Sequence, residues 1–150
     1  MNNSIFHLSI PVRDIESTKK FYVSGLGCRI GRQSAVAIML DFHGHQIVAQ
    51  VTEDLGPPQP NIYPRHFGLV CETEEEWNEW RDRAQKNGLA FFREPQRRFS
   101  GKPIEHLSFF LKDPSHNLLE FKFYLNANAI FGEQDFSQIG DDQERQSSEA

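Results

Sequence analysis

Two histidines and one glutamate in this 150-residue chain have the residue types and settings to hold a metal ion. His7 lies in Phe6-His7-Leu8-Ser9-Ile10-Pro11-Val12, and His66 begins His66-Phe67-Gly68-Leu69-Val70-Cys71. Glu120 lies in Leu118-Leu119-Glu120-Phe121-Lys122-Phe123-Tyr124. A carboxylate in so apolar a run is costly to bury unless it is paired or bound to a cation. Two neutral imidazoles and one carboxylate make a facial set that leaves other positions of a divalent ion open. Open positions suit catalysis, since structural sites close all of theirs. Each residue also has a plainer reading alone: a strand histidine is usually a satisfied core or surface residue, and a strand carboxylate often marks a solvent-facing edge. The combination is what points to a metal.

The elements that must position these residues read as one pattern written twice. In the first copy Phe6, Leu8, Ile10 and Val12 alternate with His7 and Ser9, the period of a strand. Asp14 then caps a helix in which Ile15, Thr18 and Tyr22 recur at helical spacing, and Gly25 and Gly27 end it. The second copy starts at Arg65, with His66 and Gly68 on one strand face and Phe67 and Leu69 on the other. Thr73 followed by Glu76 is a capping-box signature, and Trp77, Trp80 and Ala84 form the buried stripe of its helix. Sliding one copy over the other matches His7 with His66 and Phe21 with Trp80. Three strand-like runs follow each helix: residues 28–31, 35–42 and 46–52, then 90–93, 106–111 and 118–124. In the last run Leu119, Phe121 and Phe123 face the helix side, while Glu120, Lys122 and Tyr124 face away. The chain is therefore expected to be α+β, two tandem β-α-β-β-β modules forming a curved mixed sheet around a metal pocket. The modules span about 4–52 and 65–124, and a Pro-rich linker, 53–64, joins them into one domain over 4–124. One helix cannot cover a whole sheet, so the two modules must pair.

Composition sets the outer bounds. Hydrophobic residues are 38% and charged residues 25%, ordinary for a globular protein, and 13 phenylalanines promise a sheet-rich core or an apolar pocket. A formal charge of -5 gives no reason to expect nucleic acid. The one basic cluster, Arg93 to Lys102 with Glu94 inside it, reads as a solvated loop, with contact to an anionic substrate as the alternative. No apolar run has the length to cross a bilayer, and the first residues lack the regions of a signal peptide. With only Cys28 and Cys71, a cytoplasmic setting with both thiols free is expected. The segment 125–150 reads as a C-terminal tail, largely disordered from about 134, where Gln, Asp, Glu and Ser dominate.

These segments resemble the vicinal oxygen chelate superfamily, which includes glyoxalase I, fosfomycin- and bleomycin-resistance proteins and extradiol dioxygenases. The resemblance rests on residues 6–14, on Phe21-Tyr22 with Gly25-Leu26-Gly27, on His66-Phe67-Gly68, and on residues 113–121. It is nearest to small predicted extradiol-type dioxygenases, which are similar also at Asp41-Phe42-His43-Gly44-His45-Gln46 and Arg98-Phe99-Ser100-Gly101. The resemblance implies that His7, His66 and Glu120 are metal ligands. It implies Fe(II) or Mn(II), with Zn(II) able to bind, and a small-molecule substrate that chelates the ion through vicinal oxygens. Extradiol enzymes also use an acid–base His and Tyr, for which His45 and Tyr124 are the candidates, with His106 behind them.

Two departures shape the expected function. Glyoxalase I adds a glutamate on the last strand of its first module, where Ala49, or Gln50 with a one-residue bulge, stands opposite Glu120. Glyoxalase I proper is thereby disfavoured. Typical extradiol enzymes carry four copies of the unit, and this chain has two. The leading expectation is an extradiol-type dioxygenase. The alternatives are a glyoxalase-like isomerase or lyase, a resistance-type transferase, and a non-catalytic small-molecule-binding protein. Exposed sheet edges and the stiff linker further suggest a homodimer, with His7 from one chain and His66 and Glu120 from the other.

Overall fold

The structure is a computed structural model that describes residues 3–141. In the first module, strand β1 (His7–Val12) leads into helix α1 (Ile15–Lys19), which continues as a wider π turn, Lys20–Gly25. Strands β2 (Arg29–Gln33), β3 (Ala37–Phe42) and β4 (His45–Val51) follow. The second module repeats the order: β5 (Phe67–Val70), α2 (Glu74–Lys86), β6 (Phe91–Arg98), β7 (His106–Lys112) and β8 (Leu118–Tyr124). A 3-10 turn, Ala127–Ile130, comes after β8.

Each module closes its own four-stranded mixed sheet, in the orders β1-β4-β3-β2 and β5-β8-β7-β6. The α+β plan of two β-α-β-β-β modules is thus as expected, with the mixed sheet divided in two because the first strand of each module pairs in parallel with its own last strand. The helix starts obey their local chemistry. Asp14 Oδ1 accepts from Ser17 N at 2.7 Å, and Thr73 Oγ1 accepts from Glu76 N at 3.1 Å. The Glu76 carboxylate reaches back to the amide of Glu72, one residue before the expected partner. Strand β6 differs more from its expected extent: it runs on to Arg98, so the front of the basic cluster is strand and not loop.

The two sheets share one apolar core. Ile10, Val12, Leu40 and Ile47 of the first sheet join Phe109, Leu111, Leu119 and Phe121 of the second, with Phe21, Trp77 and Trp80 from the helices. Phe42 bridges the modules, with its ring centroid 6.1 Å from Phe121 and 5.9 Å from Trp80. Because strand side chains alternate, what faces away from this core is the other set: His7 and Ser9 on β1, Glu120 and Lys122 on β8. Both cysteines are free thiols in the core, and burial pushes each up to about 12. Among the described residues no helix is long and apolar enough to cross a membrane.

A buried polar knot fastens the modules. The Tyr22 hydroxyl donates to Asp113 Oδ2 at 2.7 Å, and Asp113 Oδ1 accepts from the amides of Ser115 and Asn117, each at 2.8 Å. The Asn117 side chain then donates to the Pro11 carbonyl of β1 at 2.9 Å. Burial raises the Asp113 carboxyl above its ordinary value despite these bonds. Tyr22→Phe removes a hydrogen bond to a buried acid and should cost about 2 kcal/mol of stability. Urea unfolding of the two proteins, with an unchanged slope and a lowered midpoint for the variant, checks this.

Candidate metal centre

Glu120 sits in β8, a central strand flanked by β5 and β7, and is 5% exposed. Its neighbours supply what a buried carboxylate requires. The Ser108 hydroxyl donates to Oε2 at 2.6 Å, while His66 Nε2 lies 3.3 Å and Lys122 Nζ 3.7 Å from Oε1. Gly68 makes room for this: it pairs with Glu120 across the parallel strands, and a Cβ there would fall 1.7 Å from the Glu120 carbonyl oxygen.

The His66 ring is oriented from the linker. Its Nδ1 lies 2.7 Å from the carbonyl oxygen of Ile62. A carbonyl only accepts, so Nδ1 carries the hydrogen and donates it. In the neutral ring Nε2 is then a lone pair aimed at a carboxylate oxygen. Two acceptors at this distance need a cation between them, either a proton on Nε2 or a metal ion.

The protonation tendencies agree. The hydrogen bond to Glu120 raises His66 above its ordinary value of 6.5, against the opposing effect of burial. Burial alone would raise Glu120, but the hydrogen bond from His66, the Lys122 charge and Ser108 together hold it below 4.5. Lys122 is raised, its burial outweighed by Glu120.

The pair opens on a cavity of about 570 Å³, whose walls include His106, Lys122, Tyr124 and Arg98. Tyr124 is thus beside Glu120, and its hydroxyl accepts from Lys122 Nζ at 3.2 Å. His106 packs 4.9 Å from the Tyr124 ring, with Nδ1 donating to the Ile104 carbonyl. Burial lowers its pKa, which keeps the ring neutral with Nε2 as a proton acceptor. Residues 125–141 run along this cavity, with Ile130, Phe136 and Gly140 on its wall. Residues 142–150, the rest of the expected tail, lie outside the described residues.

Two expected site residues stand elsewhere. His7 begins β1 on the outward face of the first sheet, exposed, with Nδ1 2.7 Å from Gln46 Oε1. Among the described residues, no three His, Cys, Asp or Glu side chains converge to hold a metal. His45 begins β4 after the His43-Gly44 turn, exposed and outside the Glu120 cavity. In the strand alternation it shares a face with Ile47 and Ala49, opposite to that of His7 and Gln46. The registers also correct the repeat alignment. Gly68 pairs with Glu120 and Ser9 with Val48, so Val48, not Ala49 or Gln50, is the counterpart of Glu120. Val48 is likewise not a carboxylate.

Sequence reasoning passed over Ser108, Ile62 and Tyr63. A serine between Leu107 and Phe109 in a strand buried on both faces was a usable signal. Nothing local marks the Ile62 carbonyl.

Two outward-turned sheets on one core, with a cation-seeking His–Glu pair in a cavity, describe a paired-module small-molecule site. Residues 4–121 match the glyoxalase/bleomycin resistance protein/dioxygenase superfamily, and the chain belongs to it. A glyoxalase/bleomycin resistance protein/dioxygenase from Alicyclobacillus acidocaldarius is 39% identical, with 86% of this chain and 97% of that one covered and a TM-score of 0.82. The fosfomycin resistance protein FosX from Listeria monocytogenes shares the fold at 17% identity, with a TM-score of 0.66 over 86% of this chain and 99% of that one. Virulence protein STM3117 from Salmonella typhimurium is 25% identical, with a TM-score of 0.57 and 83% and 99% covered. No curated protein matches.

In metal-free protein the His66–Glu120 pair should make stability depend on pH with a definite sign. The raised His66 adds stability that is full below 6.5 and lost as pH rises through its folded value; the lowered Glu120 adds stability that is full above 4.5 and lost as pH falls through its own. The stability difference between wild type and Glu120→Gln, measured by urea unfolding in chelator, should therefore be larger at pH 5.5 than at pH 8.5.

Proposed function

We propose that the protein is a metal-dependent enzyme that binds its substrate through vicinal oxygens, most specifically an extradiol-type dioxygenase. The observation that carries this reading is the His66 ring, fixed by Ile62 so that Nε2 and Glu120 Oε1 face each other 3.3 Å apart beside a substrate-sized cavity. These two atoms suit a divalent ion.

His7 completes the facial set from a second copy of the chain. It lies on an outward face with Ser9, Gln46 and Val48, whereas Glu120 lies on the outward face of the other sheet, and the shared core separates them. A twofold homodimer that sets the first sheet of one protomer over the second sheet of its partner would bring them together. Fe(II) or Mn(II) is the ion proposed for function, with Zn(II) able to occupy the same donors.

Bound there, the ion supplies Lewis-acid polarisation of two adjacent substrate oxygens and, as Fe(II) or Mn(II), access to oxygen chemistry. The chain's own residues do the rest. His106 Nε2 accepts a proton from a substrate hydroxyl, since its Nδ1 is committed and its ring is held neutral. Lys122 holds the Tyr124 hydroxyl and places positive charge beside Glu120. Apolar walls from Ile104 and Phe110 exclude water.

His7→Ala and Glu120→Ala should each lose metal while remaining folded. Mixed and allowed to exchange subunits, the two variants should regain about one quarter of wild-type metal and activity, because half the dimers then hold one intact site. No recovery on mixing sinks the shared site, and stoichiometric metal in either variant alone sinks the ligand assignment. Oxygen uptake by Fe(II)-loaded protein over a panel of catechols tests the reaction. Turnover that needs no oxygen and is greatest with Zn(II) would place the protein with the redox-neutral members.

A further inference from the structure

Next to the Glu120 cavity, and sharing Arg98 with it, lies a second group of charges that the metal pair does not use. Arg93 and Arg98 both belong to β6 and both bind one carboxylate, that of Asp141. Arg93 Nη1 lies 2.7 Å from Oδ2, and Arg98 Nη2 holds Oδ1. The backbone amide of Asp141 donates to the Tyr63 hydroxyl at 2.6 Å. The Arg98 side chain is 12% exposed and that of Asp141 only 7%. A carboxylate bridged by two guanidiniums out of water is a strong arrangement, and removing it would leave two buried like charges facing each other.

The seat lies close to the metal pair. The Tyr63 ring is 6.3 Å from the His66 ring, and Arg98 lines the same cavity as Glu120. The Arg93 guanidinium lies 5.9 Å from the Phe110 ring, which is itself 5.1 Å from His66. What fills the seat is tethered lightly. Between the 3-10 turn and Asp141 the chain forms no regular element, and it leaves Phe131 94% and Ile139 78% exposed. Such a segment has little buried apolar surface to hold it down, so its ionic anchor carries much of its attachment.

We propose that Arg93 and Arg98, with Tyr63 beside them, are the binding site for an acidic group on the substrate, and that Asp141 occupies this site in the substrate-free protein. The inference rests on the metal-site reading above for where the other end of the ligand lies. The ligand class is then a small ring or carbonyl compound with vicinal oxygens at one end and a carboxylate, or another oxyanion, about one ring's width away. Planar guanidiniums favour an oxyanion with two oxygens, as Asp141 itself presents. Binding exchanges one carboxylate for another at the arginines and frees the segment that leads to Asp141.

The test uses full-length, metal-free protein, so that it does not depend on the ion or on turnover. 3,4-Dihydroxybenzoate and its uncharged amide are titrated calorimetrically into wild type, Asp141→Asn and Asp141→Asn/Arg98→Gln. Removing the internal competitor should tighten the acid at least tenfold and leave the amide unchanged, and the added Arg98→Gln should abolish the gain. Arg98→Lys, which keeps the charge, should retain part of it and controls for misfolding. Equal affinity of wild type and Asp141→Asn for the acid, a matching gain for the amide, or a gain that survives Arg98→Gln would overturn the proposal. The expected pattern in a protein without oxygen uptake would keep the anion site and discard only the dioxygenase reading.

Discussion

The Ile62 carbonyl accepts a hydrogen bond from Nδ1 of His66, and from that bond the character of the whole site follows. Committing Nδ1 turns Nε2 toward Glu120 and makes the gap between them a place for positive charge. Ser108 and Lys122 then share the remaining demand of a carboxylate that burial would otherwise neutralise. Ser108 reaches Glu120 from β7 and His66 from the end of the linker, while Lys122 shares β8 with it, so the site exists only when the second sheet is assembled. Gly68 shows how tight that assembly is, since its strand meets β8 where no side chain would fit.

The duplicated plan explains why His7 and the His66–Glu120 pair do not meet within one chain. Each module has one helix and a sheet with two faces, and burying the helix-side faces together is the cheapest way to cover both. That packing sends the two outward faces apart. His7 and His66 occupy equivalent places in equivalent strands, yet equivalence in the repeat separates them in space. Tyr22, Asp113 and Asn117 lock the arrangement with hydrogen bonds that a loosely joined pair of modules would lack, the Tyr22–Asp113 bond among them buried. A cavity lined from one sheet alone must be finished by something else, and the chain offers two candidates of different kinds. In the proposed dimer a second copy would bring an imidazole, and the segment after β8 brings an internal carboxylate.

Charge at the site is divided between two places with different purposes. On one side the Glu120 carboxylate faces His66 and Lys122, and the proposed ion would lie between it and His66. The β6 side is positive, with Arg93 and Arg98 about a single carboxylate. A ligand that is both a chelator and an acid meets both demands at once. A purely apolar ligand would meet neither.

Much of this was written in local patterns. Alternation and capping chemistry marked β1, β8 and both helix starts, because period two, period 3.6 and an Asp or Thr cap depend on neighbours in the chain. Repetition marked His7 and His66 as counterparts, and Glu120 as a carboxylate needing a partner. Tertiary structure decided what depends on distance across the fold. Register put Val48, not Ala49, opposite Glu120 in the repeat, because a shift of one residue turns a side chain to the other face. The same rule set His45 apart from the cavity and put His106 in it. The basic cluster read as a loop from its composition, but pairing with β7 made it strand and aimed two of its arginines at one carboxylate. The sequence alone thus determined the modules, their faces and the candidate residues they carry. Which ligands meet was left to the packing of sheets far apart in the chain, because a side chain's partners across strands are set by register and by the core they share.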